Sequence, residues 1–206
     1  MKLTHTLFAA TAISALFIAV PASAKIATGS NVADMVVTDS NGTQHNLSNF
    51  AGKKVVLEWT NADCPFVKKH YSTDNMQQTQ KLATAENDAV WLSIISSAPG
   101  MQGYVDGATA NSLTQSRGAA PTAVVLDPAG AAARIFSAKT TPHMFIIDES
   151  QTLVYQGAID DNRSANPAAV QGAKNYVVAA LADLDAGRAV AEAETAPYGC
   201  GVKYGP

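Results

Sequence analysis

The stretch WTNADCPFVKKHY (residues 59–71) lies between an apolar run and a polar, helix-favouring one. Residues 55–59 have the continuous apolar character of a strand covered on both faces. Pro65 suits the first turn of a helix, because its missing N–H costs nothing there. Cys64 therefore stands at a predicted junction between strand and helix. A cysteine three residues later would complete a Cys-x-x-Cys motif, but Val67 occupies that position.

Cys64 is placed where a protein can make a thiol reactive. The thiolate is the nucleophile, and unpaired N–H groups at the start of a helix lower the pKa of a thiol. Lys68 adds positive charge nearby, whereas Asp63 acts in the opposite direction. The alternative is that Cys64 is an inert, buried apolar residue.

The first 24 residues predict a cleaved secretory signal peptide. Lys2 supplies a positive start, residues 7–20 form an apolar core, and the small residues 22–24 form a cleavage site. We therefore expect residues 25–206 to be one domain, periplasmic or secreted, that is not held at a membrane after cleavage. The alternative is that the apolar segment is retained as an anchor.

The composition excludes several kinds of partner and cofactor. The chain has 14 Lys and Arg against 17 Asp and Glu, a net charge of −3, and 7% aromatic residues. Because no long basic run is present, neither nucleic acid nor an anionic membrane is an expected partner. The sequence contains no phosphate-cradling glycine loop and no HExxH motif, so we predict no cofactor. Asp160 and Asp161 are interpreted as solvated loop carboxylates.

Strands and helices alternate along residues 25–206, which indicates an α/β fold with a mixed sheet. Asn41 and Gly42 predict a hairpin turn. Predicted strands cover residues 34–37, 55–59, 90–95, 122–126 and 151–155, and predicted helices cover residues 65–85, 108–117, 131–136 and 167–186. Pro142 stands just before a further apolar run, and proline at a strand start indicates a special turn, for which a cis peptide bond is one option.

Eight motifs occur together and in order: EWTN, CPFVKKHY, IISSAPG, APTAVVLDP, KTTPHMFIID, GAIDD, GAKNYV and PYGCGVKY. They resemble the redoxin, or alkyl hydroperoxide reductase–thiol-specific antioxidant, superfamily, and within it the peroxiredoxin-like branch of exported proteins. The resemblance covers nearly all of residues 25–206. It implies a thioredoxin-like sandwich with a central mixed sheet flanked by helices, and a thiol-based oxidoreductase of the disulfide-exchange or antioxidant type.

The resemblance also implies roles for single residues. Cys64 matches the attacking cysteine of thioredoxin, Val67 its second cysteine, and Pro142 its cis-proline. In peroxiredoxins the Val67 position holds the peroxidatic cysteine, the Cys64 position a threonine and the Pro142 position an arginine, so the ordinary peroxidase site is expected to be missing. The residues expected to support the site are Thr141, His143, Trp59, Asn61, Pro65 and Lys68.

The C-terminal motif PYGCGVKY contains Cys200, the second cysteine of the chain. Terminal tails are normally polar and frayed, whereas this one is rich in aromatic and apolar residues, so we expect it to dock at Cys64. Three interpretations remain open. The pair is redox-active, or it is a permanent bridge that stabilises the fold by roughly 5 kcal/mol, or the thiols are unpaired.

We predict that Cys64 attacks a disulfide or a peroxide, that Cys200 resolves the intermediate, and that an external dithiol reduces the pair. The expected partners are a disulfide-bearing protein or a small thiol or peroxide substrate. The alternative is a non-catalytic thioredoxin-like binding module with a structural disulfide. A soft metal such as Cu(I) bound by the two cysteines and His70 or His143 is a further alternative. The spacing matches no recognised metal signature, and we predict no metal.

Overall fold

The computed structural model describes residues 26–32 and 35–205. The predicted signal peptide lies outside these residues and stays a prediction. In the described part of the chain, no helix is long and apolar enough to cross a membrane.

The described residues form a mixture of strands and helices in the predicted alternating order. The strands are β1 (Val36–Thr38), β2 (Gln44–Asn46), β3 (Val55–Trp59), β4 (Val90–Ile95), β5 (Ala123–Leu126), β6 (Thr140–Thr141), β7 (His143–Ile147), β8 (Leu153–Gly157) and β9 (Cys200–Gly201). The α-helices are α1 (Pro65–Ser72), α2 (Asn75–Lys81), α3 (Gly107–Ser116), α4 (Ala131–Ile135) and α5 (Tyr176–Asp185). The predicted α/β fold with a mixed sheet is confirmed, with strand ends shifted by one or two residues.

A five-stranded sheet in the order β5-β4-β3-β7-β8 forms the centre of the fold. Strand β3 lies in its middle, parallel to β4 and antiparallel to β7, and all five of its residues are buried. Trp59 at the end of β3 is paired with His143 at the start of β7. Because these two residues face each other, the segment after β3 and the segment before β7 emerge at the same edge of the sheet. This edge is where Cys64 and Pro142 lie.

Alternate residues of β3 point into two separate apolar layers. Leu57 and Trp59 belong to one layer, in which Trp59 packs against the rings of Phe136 and Phe145 with centroids 5.4 and 5.0 Å away. Val56 belongs to the other layer, which also contains Cys64. The period of two along a strand therefore places Trp59 in the core on the face opposite the cysteine.

The predicted helix over residues 65–85 is wrong as a single helix. Asp74 adopts a left-handed conformation, with φ of 61°, and separates α1 from α2. Thr73 Oγ1 donates to the Lys69 carbonyl oxygen at 2.9 Å. Short polar side chains such as these compete with the helical hydrogen bonds, which is why the helix ends here despite favourable neighbours. A wider helical turn at residues 82–86 follows α2.

The last predicted helix begins nine residues too early. Residues 167–170 form one short 3-10 turn, and Gly172, with φ of 78°, interrupts the chain before α5. Asn175 then caps α5, because its side-chain oxygen accepts from the N–H groups of Val177 and Val178. The hairpin turn predicted at residues 41–42 is confirmed, since it joins the antiparallel strands β1 and β2.

Replacement of a central core residue should destabilise the protein far more than replacement of an exposed one. Leu57→Ala opens a cavity beneath the middle strand and should lower the free energy of unfolding by about 2–5 kcal/mol. Val36, which is 55% exposed on β1, is the matched control, and Val36→Ala should change it by less than about 0.5 kcal/mol. Urea unfolding of both oxidised variants measures the difference, and equal losses would contradict this core assignment.

Candidate active site

The two cysteines, 136 residues apart in sequence, are joined by a disulfide. Their Cα atoms are 5.9 Å apart, which is within the range that a disulfide spans. The predicted pairing of Cys64 with Cys200 is confirmed, and the interpretation in which both thiols are unpaired is wrong. The bond joins the first turn of α1 to the C-terminal part of the chain.

Cys64 occupies the N-cap position of α1, as its place before Pro65 predicts. Asn61 shapes the turn that brings it there, because the Asn61 carbonyl oxygen accepts from the Cys64 N–H at 3.1 Å. The Asn61 side chain accepts from the Asp63 N–H and donates to the Gln102 carbonyl oxygen. These bonds fix the chain between β3 and α1, so the sulfur is held at the positive end of the helix.

The turn at Thr141 and Pro142 lies against both cysteines. The peptide bond between these residues is cis, as the proline at the strand start suggests. The Thr141 carbonyl oxygen lies 3.1 Å from Cys64 Sγ. On the other side, Thr141 is paired with Cys200 in the short antiparallel ladder of β6 and β9. One backbone segment therefore aligns the two cysteines with each other.

The C-terminal tail, residues 193–204, is held along its length by bonds other than the disulfide. It runs beside β8, where the Gln156 N–H donates to the Ala193 carbonyl oxygen and the Gln156 carbonyl oxygen accepts from the Thr195 N–H. Beyond Cys200, the Val202 N–H donates to the Lys139 carbonyl oxygen at 3.1 Å and the Tyr204 hydroxyl donates to the Ala138 carbonyl oxygen at 2.7 Å. The expectation that the tail docks is confirmed.

Tyr198, two residues before Cys200, enters a buried polar cluster formed by Lys69, His70, Asp160 and Tyr198 itself. Its hydroxyl donates to Asp160 Oδ1 and lies 3.2 Å from His70 Nε2. Lys69 Nζ lies 3.3 Å from Asp160 Oδ2, and these two side chains are 0% and 1% exposed. Asp160 is therefore a buried ion-pair partner, and its interpretation as a solvated loop carboxylate is wrong.

Burial sets the protonation states of His70 and Tyr198 in this polar cluster. Burial lowers the pKa of His70 to about 4, so the ring is neutral at physiological pH. Asn75 Nδ2 lies 2.8 Å from His70 Nδ1 and fixes the ring from its other side. Burial and the bond to Asp160 raise the pKa of Tyr198, so its hydroxyl remains a donor. The tail thus docks through the un-ionised hydroxyl of Tyr198, which donates to Asp160, the carboxylate that also lies beside Lys69.

Of the other residues predicted to support the site, His143 is buried in the core, whereas Lys68 and Pro65 are exposed. His143 is buried, and its Nδ1 accepts from the Lys139 N–H at 3.2 Å while its ring packs against Phe145. Burial lowers the pKa of His143 to about 3, so it is a neutral core residue. Lys68 is exposed and lines a cavity of about 470 Å³ beside α1 with Arg117. Pro65 is exposed at the first position of α1.

A buried carboxylate on β3 was missed by sequence reasoning. Glu58 is 0% exposed and accepts from Tyr71, Trp91 and Ser93. The sequence feature that could have revealed it is the single acidic residue within the otherwise apolar run VVLEW. These bonds satisfy its oxygens beside the layer that also contains Cys64.

The exposures of the two sulfur-bearing residues differ. Cys64 is 0% exposed, whereas Cys200 is partly exposed. Within the described residues, no group of three or more His, Cys, Asp or Glu side chains is arranged to hold a metal ion. The geometry is that of a disulfide that joins a buried cysteine at a helix start to a partly exposed cysteine.

The Redoxin family profile matches residues 27–176. The chain belongs to the Redoxin family. The match includes Cys64, α1 and Pro142 but ends before the tail that carries Cys200. The predicted redoxin resemblance is therefore confirmed for the part of the site that the core of the domain supplies.

Solved structures confirm the thioredoxin-like fold. An uncharacterised conserved protein from Geobacillus kaustophilus is 22% identical, with a TM-score of 0.75 over 88% of this chain and 94% of that one. A hypothetical protein from Sinorhizobium meliloti is 22% identical, with a TM-score of 0.69 over 89% and 97%. A putative thiol:disulfide interchange protein DsbE from Chlorobium tepidum is 20% identical, with a TM-score of 0.51 over 64% and 85%. No curated protein matches the chain.

The two buried histidines should make the oxidised protein sensitive to mild acid. Their folded pKa values of about 4 for His70 and about 3 for His143 lie below the ordinary 6.5, so the unfolded chain binds their protons first. The free energy of unfolding should therefore fall as the pH drops below about 6.5, with a slope approaching about 1.4 kcal/mol per pH unit for each histidine.

Urea unfolding at a series of pH values between about 7 and 4.5 measures this slope. His70→Gln should remove about half of it, whatever the variant does to the stability at neutral pH. A slope that is the same in His70→Gln and in the parent protein would show that His70 is not held neutral by burial.

Proposed function

We propose that the protein is an exported thiol–disulfide oxidoreductase whose redox centre is the Cys64–Cys200 pair. The observation that supports this most strongly is the position of the disulfide. One sulfur lies at the amino terminus of α1, and both cysteines are aligned by the turn at Thr141 and the cis-linked Pro142. Membership of the Redoxin family supports the general class of thiol oxidoreductase.

The chemistry proposed for this pair is a two-electron exchange with an external dithiol. Opening of the disulfide releases Cys64 as a thiolate, which the positive end of α1 stabilises. The Thr141 carbonyl oxygen, 3.1 Å from the sulfur, favours the protonated thiol and moderates this effect. The substrates that suit such a pair are disulfide-bearing proteins, small thiols or peroxides, and export is supported by the sequence of residues 1–24.

The partial exposure of Cys200 favours a redox-active pair over a permanent bridge. A bridge that only stabilises the fold has no need to reach the surface, whereas thiol–disulfide exchange requires an accessible sulfur. The domain also has two extensive apolar layers, and most of the residues in them are not part of the bridge. The purely structural role is the second candidate, and the reduction potential distinguishes the two.

The pair should equilibrate with small dithiols. We expect a reduction potential above about −300 mV, since structural disulfides of secreted proteins lie below that value. Incubation of residues 25–206 in defined ratios of reduced and oxidised dithiothreitol, followed by alkylation and mass measurement, gives the potential. A value well below that limit would assign the disulfide a structural role.

Peroxide turnover should be weak in comparison with disulfide exchange. Peroxiredoxins use a threonine and an arginine around their peroxidatic cysteine, and this chain has Cys64, Val67 and Pro142 at the corresponding positions. Coupled consumption of hydrogen peroxide and of a small disulfide, assayed with the same dithiol, compares the two activities. The double variant Cys64→Ser, Cys200→Ser serves as the control and should abolish both. Peroxide consumption that exceeds disulfide exchange would contradict this proposal.

A further inference from the structure

The oxidised protein presents only one end of its disulfide to solvent. Cys64 is 0% exposed beneath the tail, whereas Cys200 is partly exposed. A thiolate that opens a disulfide must reach one of its two sulfurs, and access decides which one is attacked. Cys200, the partly exposed residue of the pair, is therefore the one that an external thiol can approach.

The tail is anchored on both sides of Cys200 by contacts that do not require the disulfide. On the amino-terminal side, Tyr198 is buried in the polar cluster and bonded to Asp160. On the carboxy-terminal side, Val202 and Tyr204 pack against the apolar layer of Leu57 and bond to the backbone before β6. When the disulfide opens, these anchors keep Cys200 over Cys64.

We propose that Cys200 is the thiol that exchanges with external partners, and that Cys64 is the buried thiol that leaves and returns. This rests on the proposed oxidoreductase function and reverses the two roles expected from the sequence. Tyr198 is the positioning residue, because its bond to Asp160 holds the tail in place through both redox states. The expected partner is a dithiol or a protein disulfide that can reach the partly exposed Cys200.

The exchange proceeds in two balanced steps. A thiolate of the external dithiol attacks Cys200 Sγ, the bond between Cys64 and Cys200 breaks, and Cys64 departs as a thiolate with the electron pair. The second thiol of the partner then attacks the partner sulfur that is bonded to Cys200 in the mixed disulfide, which releases Cys200 as a thiolate. The partner becomes a disulfide, and the protein gains two electrons and, from the partner's thiols or solvent, two protons. In the oxidising direction, Cys64 closes the bond by attacking Cys200 Sγ of the mixed disulfide.

Single-cysteine variants separate the two roles. Each variant, reduced and freed of reductant, is mixed with 5,5′-dithiobis(2-nitrobenzoate), and the rate is normalised to the rate of the same variant in denaturant. Cys200 in the Cys64→Ser variant should react at least about tenfold faster than Cys64 in the Cys200→Ser variant, because reactivity follows access as well as pKa. Equal rates, or a faster Cys64, would overturn the proposal.

A second measurement tests the anchor within the Cys200→Ser background. Tyr198→Phe removes one hydrogen bond to a charged group and should open the tail more often, which should speed the reaction of Cys64 by about tenfold. Tyr104→Phe, at an exposed tyrosine, is the matched control and should leave the rate unchanged. A Cys64 rate that is the same in both variants would overturn the positioning role of Tyr198.

A third measurement uses the unmodified thiols and does not depend on a cysteine variant. The reduced protein is treated briefly with excess glutathione disulfide, quenched with acid and digested. The first glutathione adduct should be on Cys200, and an adduct predominantly on Cys64 would overturn the assignment. These readings start from reduced protein and need no turnover, so they stand apart from the reduction potential that tests the oxidoreductase function itself.

Discussion

The close approach of the tail backbone to the Thr141 carbonyl oxygen is the constraint on which the disulfide site depends. Gly199 has φ of 135°, and a Cβ atom there would lie 2.1 Å from that oxygen. Real Cβ atoms do not come so near, so any other residue would push the tail away from the turn. The pairing of Cys200 with Thr141, and with it the disulfide to Cys64, requires this glycine.

The buried polar cluster fixes the position of the tail on the domain more than it adds to the free energy of docking. A buried ion pair such as that of Lys69 and Asp160 contributes little net stability, because the desolvation of both charges offsets their attraction. Its arrangement is satisfied only when the Tyr198 hydroxyl donates to Asp160. A tail displaced by one residue would leave the carboxylate without this donor, and the cost of that loss selects one register for Cys200.

Sequence patterns predicted the elements of the fold better than the directions of their side chains. The apolar runs identified β3 and β4, the proline after Cys64 identified the start of α1, and Pro142 identified the turn before β7, since each signal is local. Whether Trp59 and His143 face the cysteine depends on strand pairing and on the parity of residues along the strand. Those are properties of the assembled sheet, so the local pattern did not contain them.

The errors have two causes, which are local polar side chains that end helices and contacts made across long sequence distances. The break at Asp74 and the late start of α5 at Asn175 depend on polar side chains whose hydrogen bonds favour an end over continuation. Asp160 is near an acidic neighbour in a segment typical of loops, and only its contacts with Lys69 and Tyr198, 91 and 38 residues away, reveal that it is buried. The composition of the tail was enough to predict that it docks, but not to identify the partners of Tyr198.

The place of Val67 explains why the second sulfur has to come from the tail. In a Cys-x-x-Cys protein both sulfurs lie on the first turn of one helix, and residues three apart share a face of it. Val67 fills that position here and is fully buried in the apolar layer. The partner of Cys64 therefore arrives from the opposite side, along Thr141, on a segment that lies beyond the Redoxin match. The face on which a Cys-x-x-Cys protein leaves its first sulfur open is thus covered in this chain. Access to the disulfide is consequently set by the tail and not by the helix.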